Sequence, residues 1–135
     1  MKVKNLPGYR NEKNLIHEIR NEYNRIYVSG YSVGATTAWL CSEEKCDGVI
    51  GYYGSRIRDY LETNPKCPVL LFFPQQEKSF NVDELIASLN KKSNVYTKKF
   101  AGNHGFADPY SINFCEESST QSFESMMKFI KDIHG

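Results

Sequence analysis

The sequence IYVSGYSVGATTAWL, residues 26–40, joins a short apolar run to a longer one through a corner that contains two glycines. The length and apolar character of the first run predict a short strand over 26–29. The second run predicts a helix over 33–42. Ser32 is therefore expected at the tip of a tight turn from a strand into a helix.

The same alternation of strand-like and helix-like segments continues along the chain. The predicted strands are 26–29, 49–53, 69–73 and 95–100. The predicted helices are 12–24, 33–42, 55–63, 82–90 and a last helix from about Ser118. The unbroken apolar run at 69–73 is typical of a strand covered on both faces. The alternation predicts an α/β fold in a single domain, residues 1–135, with a short parallel sheet of about four strands between two layers of helices.

The helical patterns also predict which side chains face the core and where two helices begin. In the first helix the apolar stripe is Leu15, Ile16, Ile19 and Tyr23. In the last helix it is Phe123, Met126, Met127, Ile130 and Ile133. Two pairs have the spacing of a capping box at a helix start: Asn81 with Glu84, and Ser118 with Gln121.

Composition and charge exclude several classes of function. The 135 residues carry 17 basic and 16 acidic side chains, well mixed, so nothing favours binding to nucleic acid or to an anionic membrane. No apolar run approaches the length of a membrane span. The N-terminus lacks the apolar segment of a signal peptide, so we expect a cytoplasmic protein. The four cysteines have no C-x-x-C spacing, and we expect reduced thiols, no metal site and no cofactor.

The corner Gly30-Tyr31-Ser32-Val33-Gly34 has the pattern G-x-S-x-G, in which a serine projects from a strained turn at the start of a helix. Glycine is expected on both sides of the serine, because a side chain there would collide with neighbouring segments. The N–H of Val33 would point to the same space as the serine hydroxyl and could stabilise an oxyanion. An ordinary tight turn is the alternative interpretation. A phosphate-binding loop is excluded, because no lysine follows Gly34.

A nucleophilic serine needs a base and an acid, and in a parallel sheet reactive groups collect beyond the carboxyl ends of the strands. His104 is the one histidine in a loop that follows a predicted strand. In the loop at 74–80, Glu77 is the one carboxylate. Asp83 is the alternative acid, although in the first turn of a helix a carboxylate also complements the helix dipole.

Three segments together resemble the dienelactone hydrolase family of α/β-hydrolases. They are GYSVG at 30–34, PVLLFFPQQEKSF at 68–80 and AGNHGFADPY at 101–110. They occur in the order and the approximate spacing of that family, and the resemblance covers roughly residues 11–134. It implies hydrolysis of an ester, a lactone or a similar small carbonyl compound, with no cofactor. It also implies Ser32 as the nucleophile, Glu77 as the acid and His104 as the base.

The sequence departs from the family at three points. The nucleophile is serine where the family often has cysteine, which points to the esterase-like members, and the acid is glutamate where the family usually has aspartate. Only 25 residues precede Ile26, whereas complete members have several strands before the corner. The resemblance therefore implies a truncated fold without the second oxyanion N–H. Four aromatic residues remain as candidates for the wall of the substrate pocket: Tyr31, Tyr52, Tyr53 and Phe106. Of these, Tyr31 and Phe106 are the expected substrate contacts.

The truncation leaves two functions open. The chain is either a small serine hydrolase, or a non-catalytic remnant or subunit that serves as a binding module. In both cases the strand at 26–29 would expose an unpaired edge, which is a template for another chain. We therefore expect a homodimer, or another complex, with its interface near the N-terminal helix and the strand at 26–29.

Overall fold

The computed structural model of the chain describes residues 8–133. Its strands are β1 (Tyr27–Tyr31), β2 (Gly48–Tyr52), β3 (Val69–Pro74) and β4 (Val95–Phe100). Its α-helices are α1 (Tyr9–Ile19), α2 (Val33–Cys41), α3 (Val82–Leu89) and α4 (Glu116–Ile133). The predicted helix at 55–63 is a shorter 3₁₀ helix, Ser55–Tyr60. The four predicted strands are confirmed, each to within two residues at its ends.

The strands lie in the order β1-β2-β3-β4, and each pairs in parallel with the next one along the chain. Parallel crossovers are right-handed, so three consecutive steps in one direction put their connections on one face of the sheet. α2, the 3₁₀ helix and α3 cover that face, and α1 packs on α2. α4 covers the other face. The predicted three-layer α/β/α architecture is confirmed. Because the strands are parallel, the carboxyl ends of all four lie on the same side of the sheet.

The larger part of the core lies between the sheet and the connecting helices. Trp39 of α2 is fully buried there, and its indole N–H donates to the carbonyl oxygen of Tyr60, 2.9 Å away. β3 is buried along its whole length, as its continuous apolar run predicted. Full burial of one large apolar side chain contributes about 1.5–3 kcal/mol. α2, which begins at the corner of Ser32, is therefore held firmly against the sheet.

The first helix differs from its prediction. It ends at Ile19 instead of residue 24. Ile16 is buried as expected, but Leu15 and Tyr23 of the predicted stripe are exposed. The stripe is therefore narrower than the sequence pattern indicated, and the prediction for Leu15 and Tyr23 was wrong.

A single carboxylate explains the early end of α1. The Oδ2 atom of Asp47 accepts from the guanidinium of Arg20, at 2.8 Å, and from the backbone N–H of Ile26, at 2.7 Å. The chain therefore has to turn between residues 20 and 26 in order to enter β1. Burial raises the pKa of Asp47, but these two hydrogen bonds and the charge of Arg20 outweigh burial, and the pKa lies below its ordinary value.

The start of the last helix also differs. α4 begins at Glu116, two residues before the predicted cap at Ser118. Ser118 is buried, and its hydroxyl donates to the carbonyl oxygen of Ala101, 2.6 Å away. Gln121 donates to Glu117 instead of reaching back to Ser118. The predicted capping pair is therefore wrong, and Ser118 ties the helix to the loop after β4.

The residues of α4 that pack against the sheet are only partly those of the predicted apolar stripe. Met126 and Ile130 are partly buried and pack on the sheet as predicted. Phe123 and Met127 are exposed, so their assignment to the core was wrong. Ser122 is buried instead, and its hydroxyl donates to the carbonyl oxygen of Ser119 at 2.9 Å.

The described part of the chain offers neither a membrane span nor a metal cluster. Within residues 8–133 none of the helices is long and apolar enough to cross a membrane. In the same range, no group of three or more histidine, cysteine or acidic side chains is placed to hold a metal ion. None of the four cysteines forms a disulfide bond, and Cys41, Cys46 and Cys67 are buried. These three behave as small apolar residues of the core.

Candidate active site

Ser32 lies in the turn between β1 and α2 with a backbone conformation that few residues adopt. Its φ is 57° and its ψ is −118°, and such a conformation costs a non-glycine residue about 1–3 kcal/mol. Its N–H donates to the carbonyl oxygen of Tyr52 at 2.8 Å, and its own carbonyl accepts from the N–H of Ala35 at 3.0 Å. The neighbouring strand and the helix thus hold the corner from two sides. The serine side chain makes no capping hydrogen bond to the helix.

The two glycines of the corner are not equivalent. A Cβ atom at Gly30 would lie 2.3 Å from the carbonyl carbon and oxygen of Gly34 and 2.8 Å from the nitrogen of Ala35, so only glycine fits there. A Cβ atom at Gly34 would meet no atom of the described residues within 4 Å. The expectation that both positions require glycine is therefore corrected. Gly30, at the end of the strand, lies close to the backbone of the helix, whereas Gly34, in the helix, faces open space.

Val33 lies beside the serine as the sequence predicted. Its N–H is the first amide of α2, and the first amides of a helix have no acceptor within the helix. They also carry the partial positive charge of the helix start. The side chain of Val33 is exposed, so the surface is open at this point. Its role as an oxyanion donor stays a prediction.

The loop after β4 is shaped to present His104. Gly102 and Gly105 on either side of the histidine have φ angles of 117° and 93°, which L side chains rarely adopt. The carbonyl oxygen of His104 accepts from the side-chain amide of Asn113 at 3.0 Å. The backbone N–H of Gln75 donates to the carbonyl oxygen of Gly102 at 3.1 Å, which joins the loop after β3 to the loop after β4.

The structure brings Ser32, His104 and Glu77 into one hydrogen-bonded series. The Nε2 atom of His104 lies 3.0 Å from Oγ of Ser32, and its Nδ1 atom lies 2.8 Å from Oε2 of Glu77. The Glu77 side chain is 7% exposed and that of His104 is 38% exposed. The acid is thus screened from water behind the imidazole, while the imidazole itself borders the open side of the site.

The other acid considered from the sequence lies elsewhere. Asp83 forms an exposed ion pair with Lys99, at 2.8 Å between Nζ and Oδ1. Its side chain is 74% exposed, and it has no contact with the histidine. The alternative with Asp83 as the partner of His104 is therefore corrected in favour of Glu77.

The geometry fixes what each imidazole nitrogen can do. A carboxylate only accepts hydrogen bonds, so Glu77 holds the proton on Nδ1 of His104. That tautomer leaves Nε2 as an acceptor that faces the hydroxyl of Ser32. The series can therefore remove the serine proton as the oxygen attacks, and the buried carboxylate can stabilise the imidazolium that forms.

A cavity of about 560 Å³ opens beside Ser32 and His104. Its other walls come from the end of β1, the end of β2 and the loop after the histidine. The lining residues besides Ser32 and His104 are Tyr31, Tyr53, Gly105, Ala107, Asp108, Pro109, Tyr110 and Ser111. The cavity therefore contains the hydroxyl of Ser32, the imidazole of His104 and several aromatic rings.

Two of the four aromatic residues that the sequence suggested for the pocket wall are in the cavity. Tyr31, one of the two expected substrate contacts, lines it and stacks on Tyr52 with 4.5 Å between ring centroids. Tyr52 is itself buried. Phe106 was the other expected substrate contact, but it is fully buried in the core between the sheet and α4. Its assignment to the pocket wall is corrected, because its ring anchors the histidine loop.

Tyr53 has a larger part in the site than the sequence indicated. Its ring lies 4.8 Å from the imidazole of His104, centroid to centroid, and 5.2 Å from the ring of Phe106. Its φ is 41°, a left-handed value for a residue that is not glycine. Burial raises the pKa of Tyr53 to about 12. The sequence suggested Tyr53 for the pocket wall, and the structure adds its burial and its contact with His104.

Several proteins of known structure share this arrangement of strands and helices. Esterase 2 of Thermogutta terrifontis superposes with a TM-score of 0.63 and 17% identity, over 93% of this chain and 64% of that one. An alpha-beta serine hydrolase homologue from Coxiella burnetii superposes with a TM-score of 0.59 and 18% identity, over 73% of this chain and 50% of that one. At these identities the similarity establishes a common α/β-hydrolase fold.

Similarity in sequence is higher to the uncharacterized protein YczH of Bacillus subtilis (strain 168). The two are 49% identical over 98 residues, which make up 70% of this chain and 48% of that protein. The chain thus spans about half the length of this curated relative. Over residues 6–134 the sequence matches the dienelactone hydrolase family. Because that match extends over nearly the entire chain, the protein belongs to the dienelactone hydrolase family.

Proposed function

We propose that the chain is a serine hydrolase that cleaves a small ester, lactone or similar carbonyl compound through Ser32, Glu77 and His104. The observation that supports this most directly is the hydrogen-bonded series from Oγ of Ser32 through His104 to the buried carboxylate of Glu77. The strained backbone of Ser32 adds support, because strain of this kind clusters at reactive sites. Membership in the family agrees with hydrolysis.

In the proposed reaction, Oγ of Ser32 attacks the carbonyl carbon of the substrate while its proton passes to Nε2 of His104. The oxyanion that forms is stabilised by the N–H of Val33. The intermediate then collapses, and the leaving alcohol takes the proton from His104. A water molecule, deprotonated by the same nitrogen, attacks the acyl-serine and releases the carboxylic acid and the free serine.

The direct test is covalent labelling of the purified chain with a fluorophosphonate probe, together with hydrolysis of p-nitrophenyl acetate. We expect both in the wild type and neither in Ser32→Ala. Ser93→Ala, which alters an exposed serine outside the site, serves as the matched control and should behave as the wild type. Undiminished hydrolysis by Ser32→Ala would refute the proposed nucleophile.

The second candidate function is that of a non-catalytic subunit or binding module. The observation that favours it is length: the chain spans 48% of the relative YczH and 50% of the Coxiella protein. Removal of a single oxyanion donor costs about 10²–10³ in rate in a well-studied protease, so a site with Val33 alone would be slow. An absence of labelling in a folded wild-type chain would favour this function.

We also propose that the chain acts in the cytoplasm as a homodimer joined near β1. Within residues 8–133, β1 is an edge strand of the sheet, and edge strands present unpaired N–H and C=O groups. Three large apolar residues close to it in sequence are exposed: Tyr23, Tyr31 and Val33. A two-fold axis beside β1 would pair this edge with the same edge of a second copy. The absence of a disulfide bond among the four cysteines is compatible with a reducing compartment.

A further inference from the structure

The charged side chains around the cavity are negative, whereas an anionic substrate would need positive ones. Asp108 is the one carboxylate on its wall, and no lysine or arginine of the described residues lines it. A second carboxylate, Glu77, lies directly behind His104. Arg58, in the 3₁₀ helix, packs over the ring of Phe80 and donates to Ser79.

Asp108 is fixed in position, although it is exposed. Its Oδ1 atom accepts from the backbone N–H of Tyr110 at 2.9 Å, and its own N–H donates to the carbonyl oxygen of Gly105 at 3.0 Å. After burial, which is the main cause, the charge of Asp108 is one of the smaller causes that raise the pKa of Tyr53. The carboxylate is therefore held beside the aromatic part of the wall.

The aromatic part of the wall consists of tyrosines. Tyr31, Tyr53 and Tyr110 line the cavity; Tyr31 and Tyr110 are exposed, whereas Tyr53 is buried. The face of a phenol ring carries negative electrostatic potential and attracts cations within about 6 Å of its centre. Quaternary ammonium groups are recognised in this way, by aromatic rings with a carboxylate nearby.

We propose that the cavity selects substrates that carry a cationic group, such as a quaternary or protonated amine, next to the ester that is cleaved. This inference rests on the proposed hydrolase function and names its substrate class. Tyr31, Tyr110 and Asp108 are the residues that recognise the cation. A substrate with a carboxylate in the same place meets two carboxylates, Asp108 and Glu77, and is rejected.

The test compares two thioesters of the same shape, butyrylthiocholine and 3,3-dimethylbutyl thiobutyrate, in which a carbon replaces the charged nitrogen. We expect kcat/KM to be about 3- to 10-fold higher for the cationic compound, as cation–π contacts and an exposed ion pair allow. Asp108→Asn keeps the acceptor for the Tyr110 N–H and should lower this ratio. Asp132→Asn, an exposed acid outside the cavity, is the matched control and should leave the ratio unchanged.

Failure of the inference can be told apart from failure of the proposed function. Turnover that depends on Ser32, with the neutral thioester equal to or better than the cationic one, would overturn the inference and leave the hydrolase in place. Binding without turnover gives a second readout in Ser32→Ala. Phenyltrimethylammonium should shift the amide resonances of Gly105 and Asp108, and less so when Asp108→Asn is added. No shift at millimolar concentration would overturn the inference, even in a chain that hydrolyses nothing.

Discussion

The Nδ1 atom of His104 lies 2.8 Å from a carboxylate oxygen of Glu77, and this contact orients the ring whose other nitrogen faces Ser32. Because the Glu77 side chain is only 7% exposed, water cannot easily replace it as the partner of the ring. Glu77 therefore sets both the tautomer and the direction of the His104 ring.

Glu77→Gln should leave the fold intact and lower kcat. An amide stabilises the imidazolium poorly and can favour the wrong tautomer, and the corresponding change in a serine protease costs about 10⁴-fold. We expect a loss on the order of 10²–10⁴ in steady-state hydrolysis of p-nitrophenyl acetate, with an unchanged far-ultraviolet circular dichroism spectrum. Asp83→Asn is the control, and a loss there with normal rates in Glu77→Gln would assign the acid to Asp83.

The two glycines of the corner should respond differently to alanine. Gly30→Ala places a Cβ atom 2.3 Å from backbone atoms of Gly34, and we expect a loss of about 3 kcal/mol or more in the free energy of unfolding. Gly34→Ala meets no described atom and replaces glycine in a helix, so stability should be unchanged or should rise by up to about 1 kcal/mol. Urea unfolding measures both. Severe destabilisation by Gly34→Ala would contradict this, because it would mean that the space beside Gly34 is filled.

Tyr53 should make the protein sensitive to high pH. Its pKa is about 12 in the folded chain and about 10 in an unfolded one, so above pH 10 the unfolded state releases its proton first and stability falls as pH rises. Below pH 10 this contribution is fully present. Between pH 8 and pH 11 the free energy of unfolding of the wild type should fall by about 1 kcal/mol more than that of Tyr53→Phe. Equal pH profiles of the two proteins in urea unfolding would contradict this.

Much of the fold could be predicted because its signals are local. Three of the four strands were identified from short apolar segments, and the cap of α3 from Asn81, whose Oδ1 atom accepts from the N–H of Glu84 at 3.1 Å. Ser32, Glu77 and His104 were suggested by their positions after strands. Whether they act together in catalysis stays a prediction, although the structure brings them together.

The errors arose where tertiary packing decides between neighbouring side chains. Phe106 and Tyr53 are both buried aromatic residues between the sheet and α4, but only Tyr53 also borders the cavity, and the sequence alone does not distinguish them. In the same way, the position of α4 left Phe123 and Met127 exposed within a broad apolar stripe. Helical periodicity identifies the apolar face of a helix, but it does not say which residues of that face contact the sheet.

The proposed dimer should be sensitive to charge on the edge strand. Ser29 is exposed in β1, and a lysine on an edge strand disfavours pairing with another chain. We expect the wild type to sediment as a dimer at micromolar concentration and Ser29→Lys as a monomer. Ser93→Lys, at an exposed position before β4, should remain dimeric. A wild-type chain that sediments as a stable monomer would refute the dimer.

Ser32 follows β1 and His104 follows β4, the two outer strands of the sheet. Each strand pairs with its neighbour in sequence, whereas the contact between Ser32 and His104 joins residues 72 positions apart. Contacts that close long loops form at greater entropic cost and tend to form late. During refolding from urea, helix and sheet signals should therefore recover before the chain regains its reactivity towards a phosphonate. An intermediate with three docked strands would be largely structured and chemically inert, so reactivity reports the arrival of the last strand.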